Sequence, residues 1–207
     1  MEHPRFARAY MRLGATADER GGAEHRRRLL AGLVGTVAEV GAGHGLNFGH
    51  YPTTVDAVVA VEPEPTLRAA AERAAAEAPV PVRVVDGLAD HVPLEDASVD
   101  AVVTSLVLCS VPDQGRALAE ARRVLRPGGE LRFYEHVIAR RQPKRLLLQA
   151  LDHSGLWPAL AGGCHPARDT AAAIERAGFT VQRSERIMFA ASRFEPAIPH
   201  ILGVART

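Results

Sequence analysis

The stretch Thr36-Val37-Ala38-Glu39-Val40-Gly41-Ala42-Gly43-His44-Gly45-Leu46-Asn47 constrains this chain more than any other. An apolar run stops at three glycines spaced by two. Val37 to Val40 read as a buried parallel strand with one acid, Glu39, set inside it. The glycines permit a tight turn and let the backbone come close to a ligand. Glu-x-Gly-x-Gly-x-Gly after a strand marks a loop that meets a nucleoside.

The rest of the sequence arranges itself around that loop. Residues 4 to about 33 read as two helices, the first with Phe6, Tyr10 and Leu13 at helical spacing. The second runs from Arg26 to Leu33 with Leu29, Leu30 and Leu33 on one side. These helices form a cap over the ligand site, in which Tyr10 and Arg20 either touch ligand or simply pack. Gly45 to about His50 can open a short helix. Val55 to Val61 is the next strand, and Glu62-Pro63 ends it. Pro65 starts a helix to about Glu77. Pro81 to Val85 is a third strand ending at Asp86-Gly87. Val99 to Ser105 is a fourth, read as continuing through Leu106-Val107-Leu108. Asp113 caps a helix with Leu118, Ala121, Val124 and Leu125 on one face. A fifth strand, Glu130 to Tyr134, delivers Glu135-His136.

Strand and helix alternate through this region, which implies a doubly wound α/β fold with a parallel sheet. Ligands of such sheets bind beyond the carboxyl ends of the strands. Glu39–Gly45, Glu62, Asp86-Gly87, Ser105-Leu106 and Glu135-His136 all occupy strand ends. Beyond them come a basic connector from His136 to Lys144, a helix beginning at Leu146–Leu151, and the loop Gly162-Gly163-Cys164-His165-Pro166. A helix from Asp169 or Thr170 to Ala177 follows, then two closing strands, Phe179 to Met188 and His200 to Ala205. The division expected is one domain, 1–207: a helical cap (1–33), a cofactor-binding core (34–135) and substrate-side elements (136–207).

Composition removes several function classes. The 207 residues carry 25 basic and 24 acidic side chains, a formal charge of +1, which argues against a nucleic-acid footprint. Lys144 is the lone lysine. No apolar run approaches the roughly 20 residues of a membrane span, and Met1 to Phe6 form no signal core. Two cysteines, Cys109 and Cys164, suggest no disulfide framework and suit a reducing cytoplasm. Neither they nor the nine histidines show metal-ligand spacing, so no metal is expected.

Charge selects the cofactor. A dinucleotide loop needs Gly-x-Gly-x-x-Gly, and here the third glycine comes one residue early. Glu39 would also repel a pyrophosphate. S-adenosylmethionine has no phosphate and carries an ammonium and a sulfonium, which an acid-rich rim suits. Glu39 would serve its methionine end. Glu62, 21 positions after Gly41, would accept from the ribose hydroxyls. Asp86 would accept from the adenine amino group, with the Leu88 backbone beside the ring.

At these residues the sequence resembles the class I S-adenosylmethionine-dependent methyltransferases, including those with a type 11-like domain. The match lies in Glu39–Gly45, Val61-Glu62-Pro63 and Val124-Leu125-Arg126-Pro127-Gly128-Gly129. It looks closest to the branch containing the animal alkyl-thiol S-methyltransferases. That likeness rests on Gly45-Leu46-Asn47-Phe48, Leu106-Val107-Leu108-Cys109-Ser110-Val111, Tyr134-Glu135-His136-Val137, Gly163-Cys164 and Pro199-His200-Ile201. The resemblance implies a Rossmann-like seven-stranded sheet, order 3-2-1-4-5-7-6, with the last strand antiparallel. It implies a cofactor across Gly41, Ala42, Gly43 and Gly45, with Asn47 near its methionine end and Glu62, Pro63, Asp86, Gly87, Leu88, Ser105 and Leu106 along it. S-adenosylhomocysteine would be the product. The sequence lacks the apolar N-terminal anchor of the animal members and differs from them at His165.

Methyl transfer from a sulfonium is an in-line displacement, so aligning the acceptor and excluding water are the main tasks. A thiol or phenol must also lose its proton. His136 is the first candidate base, since an unperturbed imidazole titrates near neutrality; a structural hydrogen bond is the competing role. His165 is a second candidate. Glu135 is a third, or else pairs with a cap arginine. The cysteines read as small buried or pocket-lining residues. The acceptor is a small molecule, with sulfur as the leading choice of atom. O-, N- or C-methylation of a quinone-like or secondary-metabolite ring, and a non-catalytic cofactor-binding module, are the alternatives.

Overall fold

A computed structural model describes residues 4–155, 157, 159, 162–193 and 196–207. The reading of Met1 to His3 as free of a signal core falls outside the described residues, as does the side chain of Phe6.

Seven strands form one sheet: β1 (Gly35–Val40), β2 (Val55–Val61), β3 (Val82–Val85), β4 (Val99–Ser105), β5 (Leu125–His136), β6 (Thr180–Phe189) and β7 (Ile198–Arg206). The order is β3-β2-β1-β4-β5-β7-β6. β1 through β5 pair in parallel, and β7 runs antiparallel to both β5 and β6. The central strands read as near-continuous valine and alanine because both faces are covered.

Among the described residues, the helices flanking the sheet are α1 (Pro4–Ala17), α2 (Ala23–Leu30), α3 (Pro65–Ala75), α4 (Gln114–Val124), α5 (Lys144–His153) and α6 (Thr170–Arg176). Leu29, Leu30 and Ala71 from α2 and α3 bury one sheet face with Val37, Val58, Val103 and Tyr134. Leu118, Ala121, Val124 and Ile174 from α4 and α6 bury the other with Ala38, Val102, Leu131 and Phe133. Removing a side chain such as Leu118 from such a core costs roughly 2–5 kcal/mol. Among the described residues, no helix is long and apolar enough to cross a membrane.

Local chemistry sets the helix starts. The Asp113 carboxylate accepts from the amides of Gly115 and Arg116, and Asp169 accepts from Ala172 N–H. Glu64 does the same for Leu67 ahead of Pro65.

Among the boundaries that differ from the sequence reading, three shape the site. The second helix ends at Leu30, short of Leu33, because the chain turns at Gly32 (φ 76°) and sends Leu33 into the core. Gly45 (φ 85°) delays the short helix to Phe48–His50. β4 stops at Ser105 and does not run on through Leu108: Leu106 adopts φ 61°, and the following amides turn toward the Glu135 carboxylate.

Candidate active site

The strand order reverses between β1 and β4, so the crevice opens at the carboxyl ends of those strands. The loop after β1 lies in it. Gly41, Gly43 and Gly45 all have positive φ. A Cβ on Gly41 would sit 2.5 Å from the Val107 side chain, so this loop can approach the turn after β4 only with glycine there. The loop packs against the next strand tip through Gly41 N–H and Ala42 N–H, both donating to Val61 O (2.8 and 3.1 Å).

Glu39 is 1 % exposed, at the centre of the sheet. Asn47 Nδ2 donates to its Oε1 (2.9 Å) and the Tyr51 hydroxyl to its Oε2 (2.7 Å). Burial lifts its pKa to about 7, against the pull of those two hydrogen bonds. Glu39 therefore acts first on Asn47, which it orients. Asn47 Oδ1 in turn accepts from Arg26 Nη1 (3.0 Å), and Arg26 Nε donates to Asp18 (3.0 Å). This chain of bonds ties α2 and the kinked segment before it to the glycine loop.

Glu62 spans the loop from the other side. Its Oε2 accepts from Gly43 N–H (2.8 Å) and its Oε1 from Glu64 N–H (2.9 Å). Arg68 Nη1 donates to the carbonyls of Glu62 and Pro63 and to Asp86 Oδ1 (3.0 Å). That clamp holds the tips of β2 and β3 together. Gly87 is required there, since a Cβ would meet Pro93 Cδ at 2.6 Å. Leu88 stands exposed beside it.

Tyr10, Arg26, Glu39, Gly41, Ala42, Gly43, His44, Leu46, Asn47 and Ser105 line a cavity of only about 10 Å³. This is under the roughly 300–1,000 Å³ usual for a ligand pocket, because α1 lies over the loop. Tyr10 comes within 3.4 Å of a Cβ position on Gly43 and meets His44 edge-on (5.8 Å). Burial raises the Tyr10 pKa. Arg20, the other cap residue singled out from the sequence, turns away to Ala190 O (3.4 Å).

At the acceptor end, Glu135 is fully buried. Its carboxylate accepts from Val107 N–H (3.2 Å) and Cys109 N–H (3.1 Å), so both oxygens hold the turn after β4. Burial raises its pKa against these amides. His136 leaves β5 the other way. Its Nδ1 lies 3.1 Å from Cys164 Sγ and 3.5 Å from Cys109 Sγ. Cys164 is lowered from the usual thiol range, first by a hydrogen bond from Cys109 and then by His136, while Cys109 is raised. His200 packs 4.4 Å from His136 and is held near pKa 2 chiefly by burial. His165 Nδ1 is 2.6 Å from Asp152 Oδ1, and its N–H donates to Cys109 O (2.7 Å).

The fold thus gathers Glu39, Gly41, Ala42, Gly43, Asn47 and Ser105 around one cleft. Glu62 reaches it through Gly43, while Pro63, Asp86, Gly87 and Leu88 stand at the β2 and β3 tips outside its lining. Gly45 and Leu106 shape the turns. Arg26 and Arg68 were missed, because nothing in their helical spacing marks an inward-reaching arginine. The meeting of both cysteines with His136 was also missed, since the partners lie 27 and 28 residues apart in sequence.

S-adenosylmethionine fits these residues. The loop presents glycine backbone where side chains would clash, an acid stands at the β2 tip, and Ser105 Oγ is buried in the cleft without a partner. The family described as a methyltransferase domain matches residues 38–133. Thiol S-methyltransferase TMT1B of Mus musculus is 38% identical over 181 residues, 85% of this chain and 73% of that protein. Thiol S-methyltransferase TMT1A of Homo sapiens is 37% identical over 174 residues, 82% of this chain and 70% of that protein. An S-adenosylmethionine-dependent methyltransferase from Thermotoga maritima superposes with TM-score 0.69 at 20% identity, covering 98% of this chain and 96% of that one. The chain is an S-adenosylmethionine-dependent methyltransferase and belongs to the family of the thiol S-methyltransferases.

Proposed function

We propose that this enzyme methylates the sulfur of small apolar thiols. The observation that carries the reading is a convergence. Cys109, His136, Cys164 and His200 come from four separate stretches that resemble the thiol S-methyltransferases, and they meet at one place beside the cofactor cleft. The relatives named as thiol S-methyltransferases point the same way.

Bound in the cleft, S-adenosylmethionine supplies an electrophilic methyl group on its sulfonium sulfur. The glycine loop offers backbone in place of side chains beside that sulfur, Glu62 takes the ribose hydroxyls, and Asp86 with Leu88 borders the adenine. Arg26 and Asn47 serve the methionine end, the guanidinium matching its carboxylate. Tyr10 and the 1–33 cap exclude water from the space between donor and acceptor. Of the three candidate bases, Glu135 is committed to the turn and His165 to Asp152, which leaves His136 and its two thiols to meet the acceptor sulfur. The two free cysteines fit a reducing cytoplasm as the working compartment.

The test is methyl transfer to an alkyl thiol and to a phenol of matched size, with wild-type enzyme and His136→Ala. Thiol turnover that falls at least ~100-fold in the variant, with S-adenosylhomocysteine affinity within about twofold, supports the reading. Turnover of the phenol with none of the thiol refutes it.

A further inference from the structure

Three side chains able to ligate a metal converge outside the cofactor loop. Cys109 sits in the turn after β4, His136 ends β5, and Cys164 lies in the loop before α6. Their Sγ, Nδ1 and Sγ atoms all fall within 4.8 Å of one another. Zinc bonds of about 2.3 Å to sulfur and about 2.0–2.1 Å to nitrogen, at tetrahedral angles, put sulfur and nitrogen roughly 3.6 Å apart and two sulfurs roughly 3.8 Å apart. The observed nitrogen-to-sulfur separations are 3.1 and 3.5 Å, within about half an ångström of that figure.

The surroundings hold these atoms in place. Glu135 fixes the Cys109 amide, and His165 N–H joins the Cys164 loop to Cys109 O (2.7 Å). Gly163 (φ 86°) lets that loop approach, with a Cβ position only 3.0 Å from Ser110 O. Arg168 donates to Leu108 O (2.9 Å) and Val111 O (2.6 Å), bracketing the turn. Outer contacts of this kind orient ligands in metal sites. Both cysteines are buried while His136 is half-buried, so the cluster has one more open side.

We propose that Cys109, His136 and Cys164 bind one zinc ion, and that its fourth position takes the acceptor's sulfur. Two thiolates and a neutral imidazole balance the charge of the ion, and the soft sulfur pair suits zinc over calcium or magnesium. Three protein ligands with one open position is the pattern of catalytic zinc, not of structural zinc. The second half of the proposal rests on the thiol reading above. A free alkyl thiol is mostly protonated at neutral pH, whereas a thiol coordinated to zinc is deprotonated. The acceptor thiol displaces water from zinc and releases its proton to solvent. The thiolate forms the new carbon–sulfur bond, the bond from methyl to sulfonium breaks, and its electron pair stays on the donor sulfur. Both products leave as neutral thioethers.

The test uses untagged full-length chain purified without chelators. Elemental analysis is expected to find about one zinc per chain, falling at least tenfold in Cys164→Ser and His136→Ala and unchanged in Asp96→Asn, at the far end of the β4 strand. The cobalt-substituted enzyme is expected to show a thiolate-to-metal absorption band that shifts when hexanethiol is added. Should either variant fail to fold by circular dichroism, titrating stripped wild-type chain with zinc against a chromophoric chelator reads the same site. Wild-type chain that holds no more zinc than the variants, or that carries a Cys109–Cys164 disulfide in its place, overturns the proposal. So does thiol turnover that survives complete zinc removal, an outcome that leaves the thiol reading standing. A zinc-loaded enzyme that methylates phenols but no thiol overturns the fourth-position assignment together with the thiol reading.

Discussion

Replacing Glu39 by glutamine should stabilise the protein at neutral and alkaline pH. Glu39 lies in the central strand, 1 % exposed, with its pKa raised from 4.5 to about 7. A carboxyl that binds its proton more tightly when folded contributes stability below pH 4.5, and that contribution is lost as pH rises through about 7. The gap, at about 1.36 kcal/mol per decade of proton affinity, comes to about 3 kcal/mol. Glu39→Gln removes the ionisation and keeps the geometry: its carbonyl still accepts from Asn47 Nδ2, and its amide meets the Tyr51 hydroxyl. The assay is thermal unfolding of both chains from about pH 5 to about pH 8. Other groups titrate alike in the two proteins, so their difference isolates Glu39. The variant should gain roughly 6–12 °C on wild type across that interval for a chain of this length. A melting-temperature difference that stays flat with pH would falsify the claim that the buried carboxyl ionises at a cost.

Other substitutions probe other parts of the site. Glu135→Gln leaves the amides of Val107 and Cys109 competing for one acceptor oxygen, so urea unfolding should show a loss of about 1–3 kcal/mol. Thiol turnover should fall with it, while S-adenosylhomocysteine affinity holds. Tyr10→Ala removes the ring over Gly43, and stopped-flow measurement should show S-adenosylhomocysteine leaving about tenfold faster. Asp113→Ala strips the cap from α4 and should cost about 0.5–2 kcal/mol in urea unfolding with turnover unchanged.

The cofactor side was legible because each of its groups sits where a strand ends, and strand ends show in sequence as an apolar run meeting glycine or acid. Val40-Gly41, Val61-Glu62 and Val85-Asp86 are such junctions, and they fall at adjacent positions in the sheet. The direct roles were less legible. Glu39 looks like a ligand acid in sequence, yet its oxygens serve Asn47 and Tyr51. Leu106-Val107-Leu108 has the composition of a strand, but the Glu135 carboxylate bends it into a turn. Arg26 and Arg68 lie on helices whose other arginines face solvent, and only packing shows that these two reach inward. Cys109, His136 and Cys164 carry no local spacing because three separate segments supply them.

The atom that receives the methyl group defines this enzyme's reaction. The decisive measurement gives the enzyme S-adenosylmethionine labelled in its methyl carbon and an acceptor bearing both a thiol and a hydroxyl, then locates the label by mass spectrometry. Label is expected on sulfur, with one S-adenosylhomocysteine formed per thioether. Label on oxygen or on carbon, with the thiol left free, would contradict the thiol reading.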